Sequence, residues 1–182
     1  MTLGSSELNT DFAASMIEVP TEDFGKMIPF LWEKGIRYFH VDAGDGSFIT
    51  RKFSGVKKVE LLKKEFPDSK VHAHLMISEP HYPHDGEICA IQQYAAAGSD
   101  AIAVHPRSFK NKQDLENSIK LIRNLNVRPG IIIETIDNWG RDLEKQIIDL
   151  DLDWVVVMGV PVGYGGQIFQ FKTLQKLSLI HI

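Results

Sequence analysis

The sequence predicts an α/β fold of the (β/α)8 TIM-barrel class, incomplete here, with about six of the eight βα units of a closed barrel. Three observations predict it. Short apolar, mostly β-branched runs alternate with longer amphipathic segments, the pattern of a parallel sheet flanked by helices. Lys34-Gly35 and Ala97-Gly98 each stop a helix just before a strand, where glycine accepts the left-handed cap conformation. Two strands, Tyr38-Phe39-His40-Val41-Asp42 and Val71-His72-Ala73-His74-Leu75-Met76, finish in residues able to bind a metal or move a proton, at the strand ends where such barrels keep their chemistry.

The units follow in order. A first apolar run at 12–17 leads into an amphipathic segment at 22–34. The second strand, 36–41, follows Gly35 directly and precedes a helix at 55–66. The third, 70–76, carries the paired histidines and is followed by a helix at 86–97. Gly98 ends that helix ahead of a strand at 101–105, which leads to a helix at 113–125. The fifth strand, 130–134, precedes a helix at 139–150, and the sixth spans 154–158. A further charged amphipathic helix is expected from about residue 170. Its register is broken by the last six residues, 177–182, which are similar to one reading frame of a transposon end used in preparing sequencing libraries and are expected to be a non-native tail.

Composition narrows the class. The 182 residues are 43% hydrophobic, enough for one sizeable core, and nothing divides 1–182 into more than one domain. A net charge of -4 leaves no basic excess for nucleic-acid phosphates. The densest basic stretch, Arg51, Lys52, Lys57, Lys58, Lys63 and Lys64, reads as a solvated face. Cys89 is the only cysteine, so an internal disulfide is excluded, a reducing compartment fits, and the thiol is expected to be a buried spectator. The polar first ten residues lack a signal-peptide pattern, and no apolar stretch reaches the length of a membrane span. The expectation is a soluble, cytoplasmic protein with no nucleic-acid or membrane partner.

In an extended strand residues i and i+2 share a face, which puts His40 beside Asp42 and His72 beside His74. His40, Asp42 and His74 offer two imidazoles and a carboxylate, a set suited to Zn, Fe(II), Co or Mn. The competing reading of any one strand histidine is a hydrogen-bonded core residue. Gly163-Tyr164-Gly165-Gly166 follows a strand and is expected to precede a helix, so its backbone N–H groups could wrap a phosphate ester; a plain flexible connection is the alternative. Asp45-Gly46 reads as a turn in which Asp45 bonds local backbone. His105-Pro106-Arg107 ends a strand, and Arg107 either meets an anionic substrate or is salt-bridged. Met76 and Met158 stand at strand ends as an apolar lid or as core filler.

In this order and spacing the segments resemble the ribulose-phosphate 3-epimerase family, metal-dependent (β/α)8 barrels of the ribulose-phosphate-binding type. The resemblance runs from Ser15 to about Lys176. It rests on His40-Val41-Asp42 with Asp45-Gly46 and Phe48, on His74-Leu75-Met76 with Glu79-Pro80, and on Met158 with Gly163-Tyr164-Gly165-Gly166-Gln167 and Phe169. It implies an isomerase of the pentose phosphate pathway that interconverts D-ribulose 5-phosphate and D-xylulose 5-phosphate. A divalent metal held by His40, Asp42 and His74 would polarise the C2 carbonyl, and Asp42 would remove the C3 proton. Ser15, His74, Met76 and Met158 would touch substrate, Gly163, Tyr164, Gly165 and Gly166 would hold its phosphate, and the full-length protein would be a homo-oligomer.

The same resemblance marks departures. The family's second acid, also its fourth metal ligand, is an aspartate ending a seventh strand, so these 182 residues alone are expected to be inactive as an epimerase. The family usually has methionine where Gly44 stands, Asn-Pro where Pro161-Val162 stand, and Pro-Asn where Thr50-Arg51 stand. These differences keep open an epimerase for a hexulose phosphate such as allulose 6-phosphate, or a noncatalytic phosphosugar-binding remnant. A two-histidine, one-carboxylate iron oxygenase is a remoter alternative, because that triad normally sits on another scaffold.

Overall fold

The computed structural model describes residues 11–83, 88–137 and 149–175. Six parallel strands form one sheet: β1 (Ala13–Ser15), β2 (Tyr38–Asp45), β4 (Lys70–Met76), β5 (Ala101–Val104), β6 (Arg128–Ile133) and β7 (Trp154–Val157), hydrogen-bonded in that order. A short β3 (Lys52–Phe53) returns antiparallel to β2, pairing Gly44 with Phe53 and Asp45 with Lys52. Four α-helices lie wholly within the described residues: α1 (Phe24–Glu33), α2 (Val56–Glu65), α3 (Ala90–Ala96) and α4 (Lys112–Asn124). Parallel strands joined through helices are the βα repeat of the barrel class, and the core sits where strand and helix faces meet.

Strand alternation divides the sheet into two faces. Phe39, Val41, Ala43, Val71, Ala73, Leu75, Ile102, Val104 and Ile131 join one buried cluster with Phe24 and Ile28 of α1, Val59 and Leu62 of α2, Ile91 and Tyr94 of α3, and Leu115, Ile119 and Ile122 of α4. The residues between them on each strand, His40, Asp42, His72, His74, Ala101 and Ala103, therefore point to the other face. Small residues on β5 leave room there for the imidazoles of β4. Gly35 and Gly98 cap their helices at φ of +89° and +101°, as the helix-stop signals require.

Several boundaries moved. β1 is shorter than expected, and β2 extends to Asp45 because β3, unseen in the sequence pattern, pairs with its end and keeps the backbone extended. α3 begins only at Ala90, with Cys89 buried at its N-cap, where the Gln92 side chain accepts the Cys89 N–H at 3.2 Å. Residues 84–87, the helix expected at 139–150 as far as residue 148, and the tail at 177–182 lie outside the described residues. No helix begins within 163–172, so the glycine loop is not the N-terminus of one.

The basic stretch is not merely a solvated face. Lys58 donates to the carbonyls of Met16 and Val19 at 2.8 and 2.6 Å, tying the loop after β1 to α2. Lys63 donates to the Ser69 carbonyl at 2.6 Å and pairs with Asp100 at 2.7 Å. Lysine reach to backbone carbonyls and to Asp100, rather than charge clustering, explains these two of the six. No described helix is long and apolar enough to cross a membrane.

Candidate active site

Three side chains expected together do converge. β2 and β4 are in register, His40 opposite His72 and Asp42 opposite His74, so a pair on one strand lies beside a pair on the next. Asp42 Oδ1 lies 2.9 Å from His74 Nδ1 and 3.4 Å from His40 Nε2, and the two ring nitrogens are 3.3 Å apart. One ligand atom from each residue falls within 4.8 Å of the others. Asp42 and His74 are buried, and His40 is partly open to solvent. Ser15, at the end of β1, donates from its hydroxyl to Asp42 Oδ2 at 3.4 Å.

The backbone behind the carboxylate is packed closely. Gly55, the N-cap of α2, sits against Val41 and the Asp42 carbonyl with no room for a side chain, and its N–H donates to the buried Tyr94 hydroxyl at 2.6 Å. Burial opposes ionisation of Asp42, but the His40 and His74 imidazoles outweigh it and hold the carboxyl well below the usual carboxylate range. His74 is pushed down to about 4 by burial, against the pull of Asp42. A neutral imidazole and an ionised carboxylate are the forms that ligate a metal. Two nitrogens and a carboxylate oxygen aimed at one another fit a divalent cation of the Zn, Fe(II), Co or Mn type.

A second buried chain of contacts adjoins the first, and the sequence reading missed it as a unit. His74 Nε2 lies 2.8 Å from His105 Nε2, and His105 Nδ1 lies 2.8 Å from Glu134 Oε1. Arg107 grips Glu134 through Nε to Oε1 and through Nη2 to Oε2 at 3.2 Å, with its guanidinium 3.7 Å from the Phe48 ring centroid. Arg107 is therefore the salt-bridged residue rather than a free anion receptor. Burial favours a neutral Glu134, yet His105 and Arg107 prevail and bring it down to about 2. The sequence places His105 and Glu134 at the ends of consecutive expected strands, but not their contact, which needs the β5–β6 register.

The remaining candidates divide. Asp45 is structural, as expected: its carboxylate accepts the N–H groups of Ser47, Phe48 and Ser78 at 2.9, 2.7 and 2.8 Å. Met76 is wholly buried and stands opposite Gly44 across the β2–β4 pair. A Cβ on Gly44 would lie 2.7 Å from the Arg51 carbonyl and 2.8 Å from Ile49 Cδ1, so the β2–β3 hairpin occupies the space of a larger side chain. Met158, just past β7, donates its N–H to the Ile133 carbonyl at 2.9 Å.

The glycine loop 163–166 is shaped by φ of +105° at Gly163 and +70° at Gly166. The Gly163 carbonyl accepts from Arg51 Nη1 at 3.0 Å, the Tyr164 hydroxyl lies 3.1 Å from Thr50 Oγ1, and the Gly165 N–H donates to Glu18 Oε1 at 3.1 Å. Arg51 also pairs with Glu18 at 3.0 Å. Glu18 was not foreseen; it lies in no motif and reaches the loop only through the fold.

A model of the ribulose-phosphate 3 epimerase family matches residues 11–182. This chain belongs to that family. It is 30% identical to the ribulose-phosphate 3-epimerase of Bacillus subtilis (strain 168), with 95% of this chain and 69% of the relative covered. It is 27% identical to the chloroplastic ribulose-5-phosphate-3-epimerase of Arabidopsis thaliana, with 90% of this chain and 54% of that protein covered. Among solved structures it is similar to an aldolase designated QR15, at a TM-score of 0.60 and 14% identity, covering 93% of this chain and 74% of that one. It is also similar to 3-hexulose-6-phosphate synthase from Salmonella typhimurium, at a TM-score of 0.53 and 16% identity, covering 80% and 62%. These two likenesses support the barrel-type fold alone.

Proposed function

We propose that the whole protein is a metal-dependent 3-epimerase interconverting D-ribulose 5-phosphate and D-xylulose 5-phosphate. The observation that carries this reading is the convergence of His40, Asp42 and His74 on one face of the paired strands β2 and β4 in a chain of the epimerase family. These three residues would hold the cation. When bound, it supplies Lewis acidity at the ketose carbonyl, which acidifies the neighbouring C–H. Asp42 is the base that takes the C3 proton: its carboxylate is buried, with Ser15, His40 and His74 around it fixing its orientation. Ser15 binds the sugar beside Asp42, and Met76 and Met158 shield the reacting carbons from water.

The phosphate is bound at Gly163, Tyr164, Gly165 and Gly166. In support, the Gly165 N–H already donates to an anion, the Glu18 carboxylate, with Arg51 beside it; a substrate phosphate takes over that bond. A single carboxylate works on one face of the planar intermediate, so Asp42 by itself exchanges the C3 proton with solvent without inverting the carbon. The test is ¹H NMR of ribulose 5-phosphate in D2O with the Co2+-loaded chain: loss of the C3–H signal is expected, whereas an unchanged C3–H signal would overturn the reading. A second reading, a hexulose phosphate substrate, rests on the departures from the family's usual residues at Gly44, Thr50, Arg51, Pro161 and Val162. Faster exchange on allulose 6-phosphate would select it.

A further inference from the structure

The side chains from Asp42 through His74 and His105 to Glu134 form one line of hydrogen-bonding gaps. The first lies between Asp42 Oδ1 and His74 Nδ1 at 2.9 Å, the second between His74 Nε2 and His105 Nε2 at 2.8 Å, and the third between His105 Nδ1 and Glu134 Oε1 at 2.8 Å. Each gap joins two atoms that repel unless a proton or a cation lies between them. Two neutral imidazoles carry one ring proton each, so two protons serve three gaps. Which gap is left for a cation is decided at the far end.

Arginine only donates, so Arg107, which grips Glu134 through both Nε and Nη2, requires both carboxylate oxygens to accept. Facing an accepting carboxylate, His105 Nδ1 must carry its proton, and His105 Nε2 is then bare. That nitrogen can accept only if His74 Nε2 donates. His74 Nδ1 is thereby left bare, aimed at Asp42 Oδ1 and 3.3 Å from His40 Nε2, which is the gap where ligand atoms from three residues meet. We propose that Arg107 and Glu134, acting through His105, fix the tautomer of His74 so that its Nδ1 is the nitrogen presented to the metal. His105 and Glu134 are positioning residues. The proposal rests on reading His40, Asp42 and His74 as the metal ligands.

The line is insulated, which lets a proton position persist along it. His105 is 0% exposed and Glu134 4%, and the Phe48 ring lies 4.5 Å from the His105 ring and under the Arg107 guanidinium. Metal-bound histidines usually direct their second nitrogen to a carboxylate or carbonyl that fixes the tautomer. Here a histidine is interposed, and the carboxylate acts one ring further away.

Glu134→Gln tests this, because an amide can offer N–H to His105 Nδ1 and reverse both tautomers. Co2+ affinity measured by calorimetry should fall about 10- to 100-fold in Glu134→Gln, and Glu134→Asp, which restores a carboxylate, should recover much of it. In the Zn2+-loaded wild-type chain, long-range ¹H–¹⁵N spectra should show His105 protonated at Nδ1 and His74 at Nε2; this measurement stands even where a variant does not fold. Wild-type-like Co2+ binding by Glu134→Gln, or His105 protonated at Nε2 in the loaded wild type, would overturn the relay and leave the metal reading intact. Failure of the wild type to bind Co2+ would overturn both.

Discussion

His72 and His74 stand two residues apart on β4, point to the same face and are both pushed by burial to about 4, yet their surroundings differ completely. His72 lies among rings, with centroids 5.8 Å from Tyr38 and 4.9 Å from Trp154, and its Nε2 is 3.4 Å from Arg128 Nη2. His74 lies between Asp42 and His105. Burial makes both imidazoles neutral; only the converging carboxylate and second imidazole make one of them a candidate ligand. A perturbed pKa alone therefore does not locate a site, and a shared focus of lone pairs does.

The largest expected effect separates the two positions by activity. Asp42→Asn should lower metal-dependent C3 proton exchange by about 10²- to 10⁴-fold, while His72→Gln leaves it unchanged in the same NMR assay. A large loss in His72→Gln would break the distinction.

Acid should act on both histidines. Their folded pKa values of about 4 lie below the ordinary 6.5, so between those values the unfolded chain takes up protons that the folded chain refuses. Stability of the metal-free protein should thus fall as pH drops from 6.5 to 4, with His74 contributing up to about 3 kcal/mol. The more solvent-screened His72 contributes less. Urea midpoints across this range should show the fall in wild type and a shallower one in His74→Gln.

Metal should distinguish them again at pH 7. At 100 times its dissociation constant, Co2+ should stabilise wild type and His72→Gln by about 2.7 kcal/mol and His74→Ala by much less, read as thermal midpoints with and without EDTA. The smallest effect concerns the hairpin beside the site: Gly44→Met, which puts back the residue usual in the family, should cost about 1–3 kcal/mol in urea unfolding because the Arg51 carbonyl and Ile49 occupy that space. A stabilised variant would contradict the packing described for β2 and β3.

The βα order was legible because apolar periodicity and helix-stopping glycines are local signals, and His40, Asp42 and His74 were legible because strand alternation and neighbouring strands fix their positions. β3 was not, since two residues pairing with a strand end leave no periodic trace. The Glu134–His105 contact depends on register between β5 and β6 and on side-chain reach. Glu18 meets Gly165 across 147 residues of sequence, which no local pattern announces. Lys58 looked like a surface charge because the carbonyls it bonds lie about 40 residues earlier in the loop after β1, and Lys63 because its Ser69 carbonyl and Asp100 partners follow no helical spacing.

The most direct test is a crystal of the chain soaked in Zn2+, with anomalous data collected on both sides of the zinc absorption edge. A single strong peak bounded by His40 Nε2, His74 Nδ1 and an Asp42 carboxylate oxygen is the predicted result. A peak at His72 instead, or none between these three side chains at saturating Zn2+, would contradict the assignment of this face of β2 and β4 as the metal and proton-transfer centre.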